Sequence, residues 1–154
     1  MLLYLVQHGE AKREEEDPSR GLTDKGFRDA ALAALYAREH GVTVSRIVHS
    51  SKKRAMQTAK VFADHLKPKE GTEEVDGIGP MDDPAVWAER IRGMHEDAML
   101  VGHLPHLAKL AGLLLAGDSN KTFIDFKNSG IVCLKRSDDD MWALEWMVVP
   151  EMMG

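Results

Sequence analysis

Apolar residues in this chain fall into short unbroken runs, separated by longer stretches in which they recur every three or four positions. Leu2-Leu3-Tyr4-Leu5-Val6 and Ala98-Met99-Leu100-Val101-Gly102 are continuous runs, the pattern of strands covered on both faces. Arg46 to His49 is a shorter strand of the same kind. Between the first two strands, Thr23 is placed to cap a helix reaching about His40. Ala30, Ala31, Ala34 and Leu35 form its apolar face, and Gly41 marks its end. Ser50 and Ser51 stand where caps belong for a helix from about Lys52 to Leu66. Asp83-Pro84 opens another through Val86, Trp87, Ile91 and Met94, and Pro105 begins one that runs to about Ala116. Ser129 to Lys135 and Met141 to Val148 read as two strands of a hairpin joined by Arg136 to Asp140.

Strands alternating with helices imply an α/β fold. The expectation is a three-layer α/β/α sandwich whose sheet is mainly parallel, with an antiparallel C-terminal edge. No repeat or linker interrupts the pattern, and 154 residues suffice for one domain with a real core, so residues 1–154 are expected to form a single domain. An apolar fraction of 44% and a charged fraction of 29% fit a soluble protein. The formal net charge of −5 argues against nucleic-acid binding, which favours basic faces. No signal peptide or membrane span is evident, so the cytoplasm is the expected compartment. Cys133, the one cysteine, lies in the apolar run Gly130 to Leu134 and reads as a core thiol. The acidic stretch from Lys12 to Arg20 reads as a solvated loop.

In parallel sheets, ligand sites gather at the carboxyl ends of strands. Here three strands end in groups of one chemical type: Gln7-His8-Gly9, His49-Ser50-Ser51 with Arg54 just beyond, and Gly102-His103. Two imidazoles, a guanidinium and helix N-termini suit a phosphoryl group, with histidine as the nucleophile.

His8-Gly9-Glu10, the run Ser51 to Ala59 containing Arg54, Gln57 and Thr58, and Val101-Gly102-His103 together resemble the histidine phosphatase superfamily. The segment Arg20-Gly21-Leu22-Thr23-Asp24-Lys25-Gly26 and the sequence Gly102-His103-Leu104-Pro105 resemble its SixA-type phosphohistidine phosphatases. The resemblance covers Leu2 to about Leu134 and implies a phosphoglycerate mutase-like fold. It implies His8 as the transiently phosphorylated nucleophile, with Arg54 and His103 beside it in the phosphate pocket. Gly9 would clear space beneath the nucleophile, where a side chain would crowd the phosphate. No cofactor or metal is called for: His103 and His106 lack a third ligand of convincing spacing, and His106 reads as a rim residue. The expected substrate is a phosphohistidine-bearing protein or a small phosphorylated compound, with no nucleic acid and no membrane as partner. Oligomeric state is not legible.

Gln7 departs from the pattern, since the family carries arginine before the nucleophile. Glutamine keeps a hydrogen-bond donor but loses the charge, a change worth on the order of 2–4 kcal/mol at a developing phosphoryl charge. Lys12, Arg13 and Arg20 are candidate replacements, with Arg20 preferred, so the expected phosphate-binding set is Gln7, Arg54, His103 and Arg20. An alkoxide leaving group needs a general acid. Glu73, Glu74, Asp76, Asp82 and Asp83 are candidates, none singled out by the sequence. A phosphoramidate needs less help, because its imidazole departs neutral once its other nitrogen is protonated. His49 is a candidate for supporting the pocket. His40, His65 and His95 read as helix-end residues, Lys52 and Lys53 as solvated, and the three tryptophans as packing.

Overall fold

A computed structural model describes all 154 residues. One six-stranded sheet organises the molecule, in the spatial order β3-β2-β4-β1-β5-β6. Strands β1 (Leu2–Gln7), β2 (Arg46–His49), β3 (Thr72–Glu74) and β4 (Ala98–Gly102) are mutually parallel. Strand β5 (Ile131–Arg136) pairs antiparallel with β1, and β6 (Trp142–Val148) pairs antiparallel with β5, forming the expected hairpin.

Period-two alternation along β1 sends Tyr4 and Val6 to one face and Leu3 and Leu5 to the other. On the first face they meet α1 (Asp24–Glu39) through Ala33, Ala34 and Ala37, and α2 (Lys53–Leu66) through Ala55, Ala59 and Phe62. On the second they meet α3 (Pro84–Arg92) through Trp87 and Ile91, and α4 (His106–Ala116) through Leu107, Leu110 and Ala111. Small alanines on α1 and α2 let the helices lie close to the sheet. The result is the expected α/β/α sandwich. No helix is long and apolar enough to cross a membrane.

Helix starts follow the chemistry of their first residues in two cases. Thr23 Oγ1 accepts from the Gly26 backbone N–H at 2.9 Å, and Asp83 accepts from Ala85 N–H at 2.9 Å. The expected serine cap of α2 is not observed: the helix starts one residue later, with Lys52 at its N-cap and no side-chain cap bond. The sequence pattern also missed β3, whose Thr72, Glu73 and Glu74 are all exposed and carry no apolar signal. Backbone pairing with β2 makes this strand, with Arg46 and Glu73 paired across it at 3.3 Å.

Connectivity decides where a site forms. β1 and β4 are neighbours, yet the chain leaves β1 for α1 on one face and β4 for α4 on the other. A crevice opens at their carboxyl ends where the loops part, the place where ligands bind in open α/β sheets.

Candidate active site

His8 follows β1 directly and lies in that crevice. Its backbone N–H donates to the Gly102 carbonyl at 3.0 Å, carrying the β1–β4 ladder one step past the strands. Its carbonyl accepts from Asn128 Nδ2 at 2.8 Å, and Ser129 N–H donates to the Gln7 carbonyl at 2.8 Å. The imidazole Nδ1 lies 2.7 Å from the Gly9 carbonyl, an acceptor only, so Nδ1 carries the proton and Nε2 is left as the lone-pair nitrogen. Burial pushes the His8 pKa down to about 4, against the Gly9 hydrogen bond, with Arg54 and Arg20 adding to the fall. At neutral pH this ring is uncharged.

Gly9 is explained by backbone packing more than by room for a ligand. A Cβ there would stand 3.0 Å from the Gly26 carbonyl and 3.2 Å from Ser129 Oγ. Its N–H donates to Thr58 Oγ1 at 2.9 Å, and that hydroxyl donates to the Arg54 carbonyl at 2.8 Å. Thr58 thereby ties the His8 turn to the first turn of α2, and Gln57 Oε1 accepts from Leu22 N–H at 2.8 Å to hold the adjoining loop. Gly26 is tighter still, since a Cβ there would run into the Glu10 carbonyl.

His103 ends β4 and is buried, its ring centroid 5.0 Å from that of His8. Burial, with His8, Arg54 and Lys52 adding to it, lowers its pKa to about 3. The second imidazole is therefore neutral at physiological pH, not a cation. Arg54 occupies the first turn of α2, and its Nε is buried without a hydrogen-bond partner. Burial and the nearby Arg20 charge lower its pKa.

Arg20 sits in the loop before α1 at φ 51°, with its Nε donating to the Lys12 carbonyl at 3.0 Å. Its effect on both His8 and Arg54 places its charge within Coulombic reach of each. Of the other cations considered beside Gln7, Arg13 pairs with Glu16 on the surface at 2.9 Å, and Lys12 contributes its carbonyl to Arg20. Gln7 is half-buried, and its Oε1 accepts no hydrogen bond.

A cavity of about 550 Å³ adjoins the cluster. Ser50, Lys52 and Arg54 line one side of it, and Asp76, Met81 and Asp82 the other. Among the five carboxylates considered, Glu73 and Glu74 point from the edge strand into solvent, Asp83 caps α3, and only Asp76 and Asp82 face the cavity. His106 corrects the sequence reading. It is fully buried, not at the rim, with neither ring nitrogen in a well-formed hydrogen bond, and burial pushes its pKa down. His49 is also buried, its Nδ1 donating to the Ser50 carbonyl at 2.8 Å. The residue that the sequence reading missed is Ser50, taken there for a helix cap. Its Oγ lies 2.6 Å from His103 Nε2.

A neutral imidazole with a free Nε2, a second imidazole and two guanidinium groups within reach make an arrangement suited to attack on an anionic phosphorus. Residues 3–78, which carry His8, Arg20 and Arg54, match the model of the histidine phosphatase superfamily (branch 1). The chain belongs to the histidine phosphatase superfamily. Phosphohistidine phosphatase SixA of Escherichia coli (strain K12) is 22% identical over 155 residues, covering 97% of this chain and 94% of that protein. The probable phosphoglycerate mutase GpmB of Yersinia pestis (strain Pestoides F) is 40% identical over only 67 residues, 40% of this chain and 30% of its own length. The structure of the protein histidine phosphatase SixA complexed with tungstate superimposes with a TM-score of 0.88 at 22% identity, each chain covered in full. Within the superfamily, the architecture is that of SixA, end to end.

Proposed function

We propose that this chain is a phosphohistidine phosphatase working through a phospho-His8 intermediate, with residues 1–154 acting as one catalytic unit. The observation that carries the reading is the neutral His8 ring with Nδ1 tied to the Gly9 carbonyl, which leaves Nε2 as a fixed nucleophile. The Nε2 lone pair attacks phosphorus, the substrate P–N bond breaks, and its electrons return to an imidazole already protonated at its other nitrogen. That ring departs neutral. Water then attacks the phosphorus of phospho-His8, releasing phosphate and the free imidazole. Arg54 and Arg20 hold the phosphoryl oxygens and balance their charge, with Gln7 and His103 as neutral donors. Neither step requires a metal ion.

The likeness to SixA, whose structure holds the oxyanion tungstate, supports both the pocket and the phosphoprotein class of substrate. The lone buried Cys133 thiol is in keeping with work in the cytoplasm. A second reading keeps the mechanism but takes a small phosphate ester. Asp76 and Asp82 on the cavity wall favour it, because an alkoxide needs a proton donor.

The test is turnover of a phosphohistidine-bearing protein against simple phosphate esters, by wild type and by Gln7→Arg. Faster hydrolysis of the P–N substrate is expected. With Arg20 already near His8, the arginine variant should gain less than about tenfold, well short of the ~10²–10³ that one missing charged donor costs. Preference for esters would replace the first reading by the second. Phosphate binding without turnover of either would make the chain a binding module.

A further inference from the structure

Ser50 stands before a helix as caps do, yet its hydroxyl is turned toward β4. It is buried, lines the cavity beside Arg54, and sets its Oγ 2.6 Å from His103 Nε2. The same oxygen accepts from the Lys52 backbone N–H at 3.3 Å. A hydroxyl has one proton to give. The oxygen accepts from Lys52, and of its two protein partners only His103 Nε2 can take that proton, which makes Nε2 the lone-pair nitrogen. A neutral ring carries one N–H, so it falls on Nδ1. His103 Nδ1 is buried and has no partner in the protein, as is also true of Arg54 Nε. Two unpaired donors thus lie in one crevice beside His8, and an anion there can satisfy both.

We propose that Ser50 is a positioning residue that locks the neutral His103 as its Nδ1–H tautomer, so that the second imidazole offers a donor and not a lone pair to the bound anion. Ser50 itself touches no reacting atom. Losing its hydroxyl frees His103 to move the proton to Nε2, and half or more of the molecules would then meet a phosphoryl oxygen with a lone pair. The role in turnover rests on the proposed phosphatase reading; the tautomer does not.

Long-range ¹H–¹⁵N correlation spectra of the histidine rings in the full-length labelled protein separate the two. In wild type at neutral pH, His103 should carry its proton on Nδ1, with and without inorganic phosphate. In Ser50→Ala the ring should shift toward Nε2–H, and kcat on a phosphohistidine protein should fall about tenfold, the worth of one hydrogen bond. KM should stay within about twofold, and Ser50→Thr should restore both tautomer and rate. A wild-type His103 protonated on Nε2 overturns the proposal even if the alanine variant does not fold. An unchanged tautomer in a folded Ser50→Ala overturns it equally. Neither result depends on whether phosphohistidine proves to be the substrate.

Discussion

The two sides of the crevice are built on opposite plans. On the His8 side the two imidazoles and Arg54 follow buried strand ends or sit in a packed helix turn. Asn128 holds the His8 carbonyl and Thr58 the Gly9 N–H, Arg54 sits at the start of α2, and His103 follows β4 with Ser50 against it. On the cavity's far side, Asp76, Gly77, Gly79, Met81 and Asp82 belong to a loop outside any strand or helix. Asp82 accepts from Gly79 N–H at 2.8 Å, and Trp87 Nε1 donates to the Asp76 carbonyl at 2.7 Å. Met81 on that rim is 83% exposed. Fixed charge chemistry belongs to the first side. The second is an exposed loop, the kind of segment that changes at small structural cost.

Breaking the first side should give the largest effects. His8→Ala removes the proposed nucleophile, and turnover should drop by about 10⁴-fold or more, with no acid-labile phosphoenzyme trapped on rapid quenching. A phosphoenzyme persisting without His8 would move the chemistry elsewhere. Acid should act on the same group. Because burial holds the folded His8 at about 4 against an ordinary 6.5, activity should survive below pH 6. It should then decline about tenfold per unit below pH 4 as the ring protonates. An acid limb near 6.5 would contradict the buried, neutral ring.

The same shift bears on stability. Between pH 6.5 and 4 the unfolded histidines bind protons that folded His8 and His103 refuse. Stability is therefore complete above 6.5 and falls as pH drops through that window, continuing toward pH 3 for His103. Urea titrations of a His8→Asn, His103→Asn double variant should show a shallower loss.

Gly26→Ala tests the packing behind the nucleophile. Its methyl meets the Glu10 carbonyl, so the variant should lose about 1–3 kcal/mol in denaturant unfolding. A neutral result would mean the Glu10 turn yields freely and is no part of the rigid side. The smallest effect is expected across the cavity. Asp82→Asn should leave phosphohistidine turnover within about threefold, whereas a general acid would cost 10²–10⁴ on ester substrates. A large loss on the P–N substrate would erase the contrast between the two sides.

That contrast also tracks what could be read without coordinates. Strand ends leading to His8 and His103 stand out because buried apolar runs stop abruptly on polar groups, and the β1–β4 crevice sets the two rings 5.0 Å apart. Arg20 is the sequence's preferred candidate to stand in for the missing arginine, and its charge lowers the pKa of both His8 and Arg54. Ser50 was misread because a serine before a helix looks the same whether its hydroxyl turns to the helix or away from it. His106 was misread because polarity suggests exposure, while its place at the start of α4 presses it under the Asp76–Asp82 loop. β3 left no trace, since its three residues contribute backbone pairing and nothing apolar. Which acidic residues line the cavity depends on a loop whose course has no periodicity to read.

The position of β1 has a consequence for how the molecule comes into being. Its backbone is flanked by β4 and β5, and its ties run to Asp97 across 95 residues and to Asn128 across 120. On the ribosome, the strand that bears His8 emerges long before either neighbour and must wait unpaired. The helices can form locally, but closing these distant contacts is slow in entropic terms. A nascent chain stalled before Asn128 would already hold His8, Arg54 and His103, yet lack the strand that seats His8 at the crevice. The crevice around His8 is complete only once the last third of the chain has joined it.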